Sequence, residues 1–487
     1  MSRLLTEVER ALLRRGDACV ISEPSQTGAD RRVSGTELQR LVSEWEQFFL
    51  QAGVRPGDRV ALVLINGSST VAIFLALLRC RAVPAALKTD QGPFELRAVA
   101  DNLNPALLVV SQMLQHHVLP HFPAVRLAVD EQRHVLRRGP AAETGRDTVS
   151  IESTPDYLDL VENGLSINYT YRGYGYPLGA MVPAEQYRLG TEILAAGMAG
   201  RGCRRMLVIL PMAHIFTLVA CVFVPLLHDM TIHIAHTMHP GRLWQRIIEH
   251  RIDFLTLVPE LALMLTRHLP SSDGKPALDI VATGGSRLDH ADYAKVRDAL
   301  GAELLHGYGL TEFTPVSRNI RGSARPGTVG PLGAEVEVRI AGVGETAGGA
   351  GDAGSGQGEI LVRAPAMAKG YFRRPVESAE ATTSDGWFRT GDIGRFEGEH
   401  LVFVRESKRT CKVNGAMVDL NEVKRALERC PEVATAETEY REGALAARLV
   451  PADPGLDEHE AARAVRLRMR ETVAAYKIPR NIAFIHI

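Results

Sequence analysis

The stretch that decides the fold runs from Ile167 to Gly179 and reads Ile-Asn-Tyr-Thr-Tyr-Arg-Gly-Tyr-Gly-Tyr-Pro-Leu-Gly. Its glycines and its proline, taken alone, are typical of a turn between two strands. Small residues also let backbone N–H groups approach phosphate oxygens, although a phosphate-binding loop usually adds hydroxyls and a cation. Here tyrosines stand among the glycines, and Arg172 is the cation of the segment. The segment therefore predicts a turn and leaves a rebuilt phosphate loop as the alternative.

Short sequence motifs also occur on both sides of this stretch, and their order along the chain is informative. Residues 306–312 read His-Gly-Tyr-Gly-Leu-Thr-Glu, and residues 387–394 read Trp-Phe-Arg-Thr-Gly-Asp-Ile-Gly. The other patterned segments are residues 53–62, 210–216, 358–360, 369–372, 408–415 and 421–423. An ordered set that extends over nearly the whole chain is a more specific signal than any single motif.

In this order the segments resemble those of the adenylate-forming superfamily of acyl-CoA synthetases, aryl-acid ligases and nonribosomal-peptide adenylation domains. Residues 306–312 contain its Tyr-Gly-x-Thr-Glu motif without a substitution. Its phosphate loop usually reads Tyr-Thr-Ser-Gly-Thr-Thr-Gly-x-Pro-Lys-Gly. Here residues 171–174 replace Ser-Gly-Thr-Thr, and Leu178 replaces the lysine. The loop keeps its glycine spacing and loses most of its phosphate donors.

The chain organisation agrees with this resemblance. Before Gly327, strand-length apolar runs alternate with helix-length segments, which predicts parallel sheets covered by helices. After it, short alternating strands flank a glycine-rich hairpin loop at 342–358. The expected fold is α/β, with a large N-terminal domain of two α/β subdomains plus a small β-barrel subdomain, and a small mobile αβ C-terminal domain. The expected domains are an AMP-binding domain at 1–404 and a lid at 405–487 that would be truncated.

The amino-acid composition argues against some classes of binding partner and cellular environment. With 487 residues the chain is long enough for two or three cores, and 45% hydrophobic residues are ordinary for a globular protein. A formal net charge of −1 argues against a nucleic-acid-binding protein. The six cysteines include no Cys-x-x-Cys pair, which favours a reducing cytoplasm. The longest apolar run, residues 218–227, is too short to span a membrane.

The resemblance implies a reaction in which ATP and Mg²⁺ convert a carboxylic acid to its acyl-adenylate, after which a thiol displaces AMP. The thiol would be coenzyme A or the phosphopantetheine arm of an acyl carrier protein. Glu312 would hold the metal, because Mg²⁺ prefers one or two protein carboxylates with phosphates completing its shell. The implied catalytic residues are Thr311, Glu312, Arg172 and Lys408. The implied nucleotide-binding residues are Thr170, Gly173, Gly175, Gly284, Gly285, Tyr308, Gly309 and Asp392, and the implied substrate-binding residues are His214, Phe216, Val281, Thr283 and Gly284.

The substrate class follows from one position. Adenylation domains for α-amino acids place an aspartate next to the residue aligned with His214, and Ile215 occupies that place here. A buried ammonium without a partner would be costly, so an α-amino acid is disfavoured. The implied substrate-binding residues would then line an apolar pocket, so we expect an aryl or fatty carboxylic acid.

Two departures leave the mechanism open. Arg405-Glu406 stands where the family has Gly-Arg, and no lysine loop follows Pro479 before Ile487. Arg172 could supply part of the missing charge, because a guanidinium binds phosphate bidentately. The favoured hypothesis is adenylation with a rebuilt loop. The alternatives are another acyl transfer on the same fold, and a catalytically degenerate ligase homologue that binds a nucleotide or a carrier protein. A homodimer is also left open.

Overall fold

A computed structural model describes residues 2–25, 28–139, 154–198, 202–270, 278–342, 356–406, 410–413, 416–441, 443–453 and 456–485. The predicted Lys408 and most of the predicted loop at 342–358 lie outside the described residues. The fold is a mixed α/β architecture with a large N-terminal and a smaller C-terminal domain, as expected. No helix among the described residues is both long and apolar enough to cross a lipid bilayer.

The first subdomain is built on a five-stranded sheet. Its strands lie in the order Val83–Ala86, Arg59–Val63, Leu107–Val110, Leu127–Val129 and Val135–Arg138. The first four pair in parallel and the last pairs antiparallel. The parallel strands are short apolar runs buried on both faces, as strands covered by helices on both sides require.

The second subdomain is built on an eight-stranded sheet. Its strands lie in the order Ser317–Arg318, Glu303–Tyr308, Ile280–Thr283, Phe254–Leu257, Arg205–Val208, Thr231–Ile234, Cys19–Glu23 and Arg31–Ser34. The six central strands run parallel and the two edge strands are antiparallel. The carboxyl ends of the parallel strands therefore meet along one edge, where open α/β sheets bind ligands.

Helices cover both sheets. The helices of the N-terminal domain are Arg3–Arg15, Gly35–Gln51, Ser68–Arg79, Pro93–Leu103, Gln115–Val118, Pro155–Glu162, Ala184–Gly197, Ile215–Thr217, Val224–Leu227, Pro240–Glu249, Pro259–Thr266, His290–Leu300 and Pro375–Glu380. The segment Leu218–Phe223 between two of them is π-helical. Ser34 caps the second helix, because its side chain accepts a hydrogen bond from the Glu37 amide. Short 3₁₀ turns are Gln112–Leu114, Leu119–His121 and Ala475–Lys477.

A third, smaller subdomain and a hairpin complete the N-terminal domain. The subdomain is an antiparallel sheet of Glu337–Ala341, Gly358–Arg363, Phe388–Glu397 and His400–Glu406. The hairpin pairs Leu165–Thr170 with Leu178–Pro183. Residues 171–177, which we call the tyrosine loop, connect its strands, so the predicted turn is confirmed.

The C-terminal domain has a separate apolar core. It contains the hairpin Thr410–Val413 and Ala416–Asp419, the helices Leu420–Leu427 and Glu458–Thr472, and the sheet Val433–Arg441, Ala444–Pro451 and Asn481–Phe484. Asp419 caps the first helix by accepting from the amides of Asn421 and Glu422.

A fully buried lysine joins the two domains. Lys477 of the C-terminal domain is 0% exposed, and its Nζ lies 2.6 Å from Oε1 of Glu95 and 2.7 Å from Oε2 of Glu422. It also donates to the Tyr171 hydroxyl at 3.2 Å, and that hydroxyl donates to Glu95 at 2.7 Å. Burial, with a contribution from the charge of Glu95, raises the pKa of Glu422. Lys477 thus balances carboxylates that come from both domains.

Replacing Lys477 with methionine should lower the free energy of unfolding by about 3 to 5 kcal/mol, because two buried carboxylates would lose the cation between them. Urea denaturation followed by circular dichroism measures this change. The control is Lys424→Met, which removes a solvent-exposed pair with Glu428 and should change the free energy by less than about 1 kcal/mol. Equal effects of the two substitutions would contradict the role of Lys477.

Candidate active site

A large cavity lies at the carboxyl edge of the eight-stranded sheet, between the two domains. Its empty volume is about 1750 Å³, including its opening to solvent. The sheet, the tyrosine loop and the C-terminal hairpin all contribute to its wall. It is lined by these residues implied from the sequence: Thr170, Arg172, His214, Phe216, Thr283, Gly284, Gly285, Tyr308, Gly309, Thr311, Glu312 and Asp392.

Three of the implied residues that the structure describes do not line this cavity. Val281 is buried in the apolar core on the opposite face of the sheet, and its neighbour Ala282 faces the cavity instead, because successive strand residues point to opposite faces. Gly173 and Gly175 lie in the tyrosine loop but are turned toward the C-terminal domain.

One end of the cavity contains Tyr308 and Asp392. The Tyr308 hydroxyl donates to Oδ2 of Asp392 at 2.6 Å, and its ring lies 5.8 Å from that of Phe403. Burial, reinforced by the Asp392 charge, raises the pKa of Tyr308 well above its usual value. The next residue, Gly309, packs closely against Thr314, because a Cβ there would lie 2.5 Å from Oγ1 of Thr314. The result is an aromatic face beside a carboxylate, which suits a nucleoside.

Arg172 and Glu312 form a buried ion pair beside this end. A terminal nitrogen of Arg172 lies 3.4 Å from Oε1 of Glu312, and the other donates to the carbonyl of Arg389 at 2.5 Å. The Tyr371 hydroxyl donates to the same carboxylate oxygen. The guanidinium also lies 4.7 Å from the centre of the Phe388 ring. Arg172 therefore places a positive charge directly at the carboxylate implied as the metal ligand.

The tyrosine loop serves as a contact surface for the C-terminal domain. The Gly175 amide donates to Asp419 at 2.8 Å, and the Gly173 carbonyl accepts from Asn421 at 2.9 Å. Gly175 has a φ of +78°, and a Cβ there would lie 2.8 Å from the guanidinium of Arg425. The position therefore requires glycine. Loop groups that would face phosphates are engaged by the C-terminal domain in this arrangement.

The loop tyrosines are engaged as well. Tyr174 donates to Glu380 and Tyr176 to Glu377, each at 2.6 Å, while Tyr171 belongs to the Lys477 cluster. The phenolic groups therefore bind carboxylates of the protein. Leu178, at the family's lysine position, is completely buried in the main apolar core.

Two lysines that the sequence analysis missed also line the cavity. Lys88 follows the strand Val83–Ala86, and Lys412 comes from the C-terminal hairpin. Burial, with the charges of Lys88 and Lys412, lowers the pKa of His214 to about 3. His214 is therefore neutral at physiological pH. Lys412 lies within the patterned segment 408–415, whereas no sequence pattern marks Lys88.

The remaining part of the cavity is an apolar pocket. The Phe216 ring lies against Gly284, where a Cβ would be only 3.5 Å from Cζ of the ring. Its other apolar residues are Leu194, Met198, Ala220, Val224, Phe254, Ala282 and Leu305. Arg318 lines the cavity too, and the sequence analysis missed it because it stands outside every recognised motif.

Another group of residues has the composition of a metal site, but its carboxylate is already paired. Asp30, His233 and His250 lie close together. Both carboxylate oxygens of Asp30 accept hydrogen bonds from Arg246, at 3.2 and 2.6 Å. Both oxygens that could bind a cation are therefore already occupied.

Comparison with known proteins assigns the family. Residues 8–372 match the model of the family described as AMP-binding enzyme. The chain belongs to this family. The AMP-binding enzyme is 25% identical over 486 residues to long-chain-fatty-acid–CoA ligase FadD13 of Mycobacterium tuberculosis, with 95% of this chain and 90% of the relative covered. It is 26% identical over 461 residues to feruloyl-CoA synthase of Amycolatopsis sp, covering 92% and 89%.

A solved structure supports the same fold. The amide bond synthetase McbA from Marinactinospora thermotolerans matches this AMP-binding enzyme with a TM-score of 0.81 at 24% identity, covering 98% of this chain and 95% of the other. The relatives are named as CoA ligases and synthetases, which is consistent with an AMP-forming acid–thiol ligase.

The depressed pKa of His214 predicts a specific acid sensitivity. The unfolded chain binds a proton on this histidine near pH 6.5, whereas the folded enzyme does not until about pH 3, so stability is lost as pH falls through this window. Between pH 6.5 and 4.5 the enzyme should lose up to about 3 kcal/mol more than His214→Gln. Urea unfolding at several pH values measures the difference. A His459→Gln control on an exposed helix should follow the unmodified enzyme, and parallel curves for His214→Gln would contradict the prediction.

Proposed function

We propose that this AMP-binding enzyme uses ATP to activate a carboxylic acid as an acyl-adenylate and then transfers the acyl group to a thiol. The observation that carries the proposal is one cavity lined by Tyr308 and Asp392, by Thr311 and Glu312, and by a set of apolar side chains. These parts suit a nucleoside, an α-phosphate and an acyl chain, in that order. The relatives named as CoA ligases support the same reaction.

In this proposal each group has a defined task. Asp392 accepts the ribose hydroxyls while the Tyr308 ring and Gly284–Gly285 hold the base. Thr311 contacts the α-phosphate, and Arg172 offsets the charge that grows on the leaving pyrophosphate. The neutral His214 lies where the acyl pocket begins and can accept or donate one hydrogen bond without adding charge.

A magnesium ion fits beside Arg172. Oε1 of Glu312 is used by Arg172 and Tyr371, whereas Oε2 has no hydrogen-bond partner within the described part of the chain. Oε2 would hold Mg²⁺, with ATP oxygens completing the shell. The ion would supply neutralisation of phosphate charge.

In the proposed adenylation step, the tyrosine loop must first release its contacts with the C-terminal domain. Its Gly175 amide can turn to a triphosphate only after it leaves Asp419, so we propose that the C-terminal domain moves away when ATP binds. With the domain docked, Lys412 and Met417 of its hairpin close the cavity over the acyl-adenylate. The docked arrangement therefore suits the thiol step.

We propose a chemical class for the acid substrate and for the thiol acceptor. An apolar pocket suits an aryl or fatty acid, and the names of the two relatives cite a long-chain fatty acid and feruloyl-CoA. Coenzyme A is the acceptor that these names favour, with an acyl carrier protein as the alternative. The six free thiols fit the reducing cytoplasm proposed from the sequence.

If Asp392 binds ribose, Asp392→Asn should weaken AMP binding about 10- to 100-fold, because hydrogen bonds to a charged acceptor are stronger than those to a neutral amide. Isothermal titration calorimetry with AMP measures the affinity. Asp385→Asn, an exposed residue of the same subdomain, serves as the control. Unchanged AMP affinity in Asp392→Asn would count against the nucleoside site.

If Arg172 acts on the leaving group, Arg172→Ala should lower kcat for pyrophosphate release by about 10²- to 10³-fold with little change in KM for the acid. Arg172→Lys should recover part of the loss, because lysine keeps the charge without the planar fork. The exposed Arg138→Ala is the control. Pyrophosphate release that is absent from the unmodified enzyme with every acid would favour the alternative of a degenerate, nucleotide-binding homologue.

A further inference from the structure

Arg318 is a buried arginine that forms no ion pair with any described residue. It is 8% exposed, and its Nε donates to the carbonyl of Ile193 near the end of helix Ala184–Gly197. Neither terminal nitrogen of its guanidinium has a hydrogen-bond partner among the residues that the structure describes. Burial lowers the pKa of Arg318 to about 10, so the side chain keeps its charge at neutral pH. A buried charge without a counter-charge is costly, which calls for an explanation.

The packing makes room for this side chain. A Cβ on Gly197 would lie 2.6 Å from Nε and 2.8 Å from Cζ of Arg318. A Cβ on Gly307, its partner across the sheet, would lie 3.2 Å from Cβ of Arg318. The glycines therefore keep space on both sides of the arginine. Arg318 pairs with Gly307, and the neighbouring Ser317 pairs with Tyr308. Arg318 therefore lies one residue farther from the carboxyl edge of the sheet than Tyr308.

Burial alone lowers the pKa of Arg318, without a contribution from a neighbouring charge. Arg318 lines the cavity together with Leu194, Met198 and Leu305. The bond from Nε to Ile193 fixes the direction of the side chain, and the partial negative charge at a helix carboxyl end stabilises a cation. That role uses one of the five N–H groups of arginine and leaves the planar fork of the terminal nitrogens available.

We propose that the acid substrate carries a second carboxylate, which Arg318 binds in the apolar part of the cavity while the first carboxylate is activated. A guanidinium binds carboxylate bidentately, and the surrounding apolar side chains exclude competing water. Arg318 is then a specificity-determining residue that selects a dicarboxylic acid over the matched monocarboxylic acid. This inference rests on the proposed function for its reaction, although the binding that it predicts does not require turnover.

The test compares acids that differ only in the second carboxylate. Thioester formation with ATP and coenzyme A is measured for dicarboxylic acids of increasing chain length and for terephthalate, each beside its monocarboxylic counterpart. The unmodified enzyme should prefer at least one diacid by roughly 10-fold or more in kcat/KM, and Arg318→Met should lower the activity with that diacid by about 10- to 100-fold while sparing the monoacid. Arg318→Lys should give an intermediate preference.

Two further variants separate recognition from folding. Gly197→Ala keeps the charge but displaces the guanidinium, so it should also reduce the preference for the diacid. Arg297→Met, an exposed arginine on helix His290–Leu300, should leave the preference unchanged. Equal losses with diacid and monoacid in Arg318→Met, or a preference of the unmodified enzyme for every monoacid, would overturn the inference while leaving the proposed ligase activity in place.

Calorimetry covers the case in which no acid is turned over. The same acid pairs are titrated into the enzyme saturated with AMP. Diacid binding that is roughly 10-fold weaker in Arg318→Met supports the inference even if the proposed reaction fails. Diacid binding that does not depend on Arg318, or no diacid binding at all, overturns it.

Discussion

The buried charge of Lys477 is the interaction on which the arrangement of the two domains depends. One ammonium group contacts Glu95 of the N-terminal domain and Glu422 of the C-terminal domain with no exposed surface. Charges this deeply buried are stable only when paired and hydrogen-bonded, so the docked domains require this geometry, whereas separation of the domains would return these charges to water. Gly92 permits the close approach, because a Cβ there would lie 2.6 Å from the backbone of Val473.

Docking explains the unusual composition of the tyrosine loop. Tyr171 adds its hydroxyl to the Lys477 cluster, and Gly173 and Gly175 bond to the first helix of the C-terminal domain. A serine in place of Tyr171 would not reach as far as the phenol does. Of the positions that lack the family's phosphate donors, Tyr171 and Gly173 contact the C-terminal domain, whereas Arg172 and Tyr174 bind groups of the N-terminal domain. Part of the loop therefore serves as a contact surface between the domains.

The cavity contains two buried arginines that differ in whether a carboxylate of the described residues compensates their charge. Arg172 is neutralised by Glu312 and held by Arg389 and the Phe388 ring, so its charge is compensated within the protein. Arg318 has a carbonyl contact and no carboxylate among the described residues. An arginine that the protein compensates can tune a reaction at its neighbour, whereas one that it leaves uncompensated favours an anionic ligand.

The sequence by itself determined the family resemblance, the α/β class and the turn at residues 171–177, because glycine spacing, apolar runs and ordered motifs are local signals. It also placed Glu312, Thr311, Tyr308 and Asp392 in one proposed site, and the structure gathers them around one cavity. Only the tertiary structure decided which face of a strand meets the cavity, and so excluded Val281 in favour of Ala282. Only it brought Lys88, Lys412 and Arg318 to the same cavity from distant parts of the chain. Contacts between residues hundreds of positions apart, such as Lys477 with Glu95, depend on how the domains pack, and a local pattern carries no information about that packing.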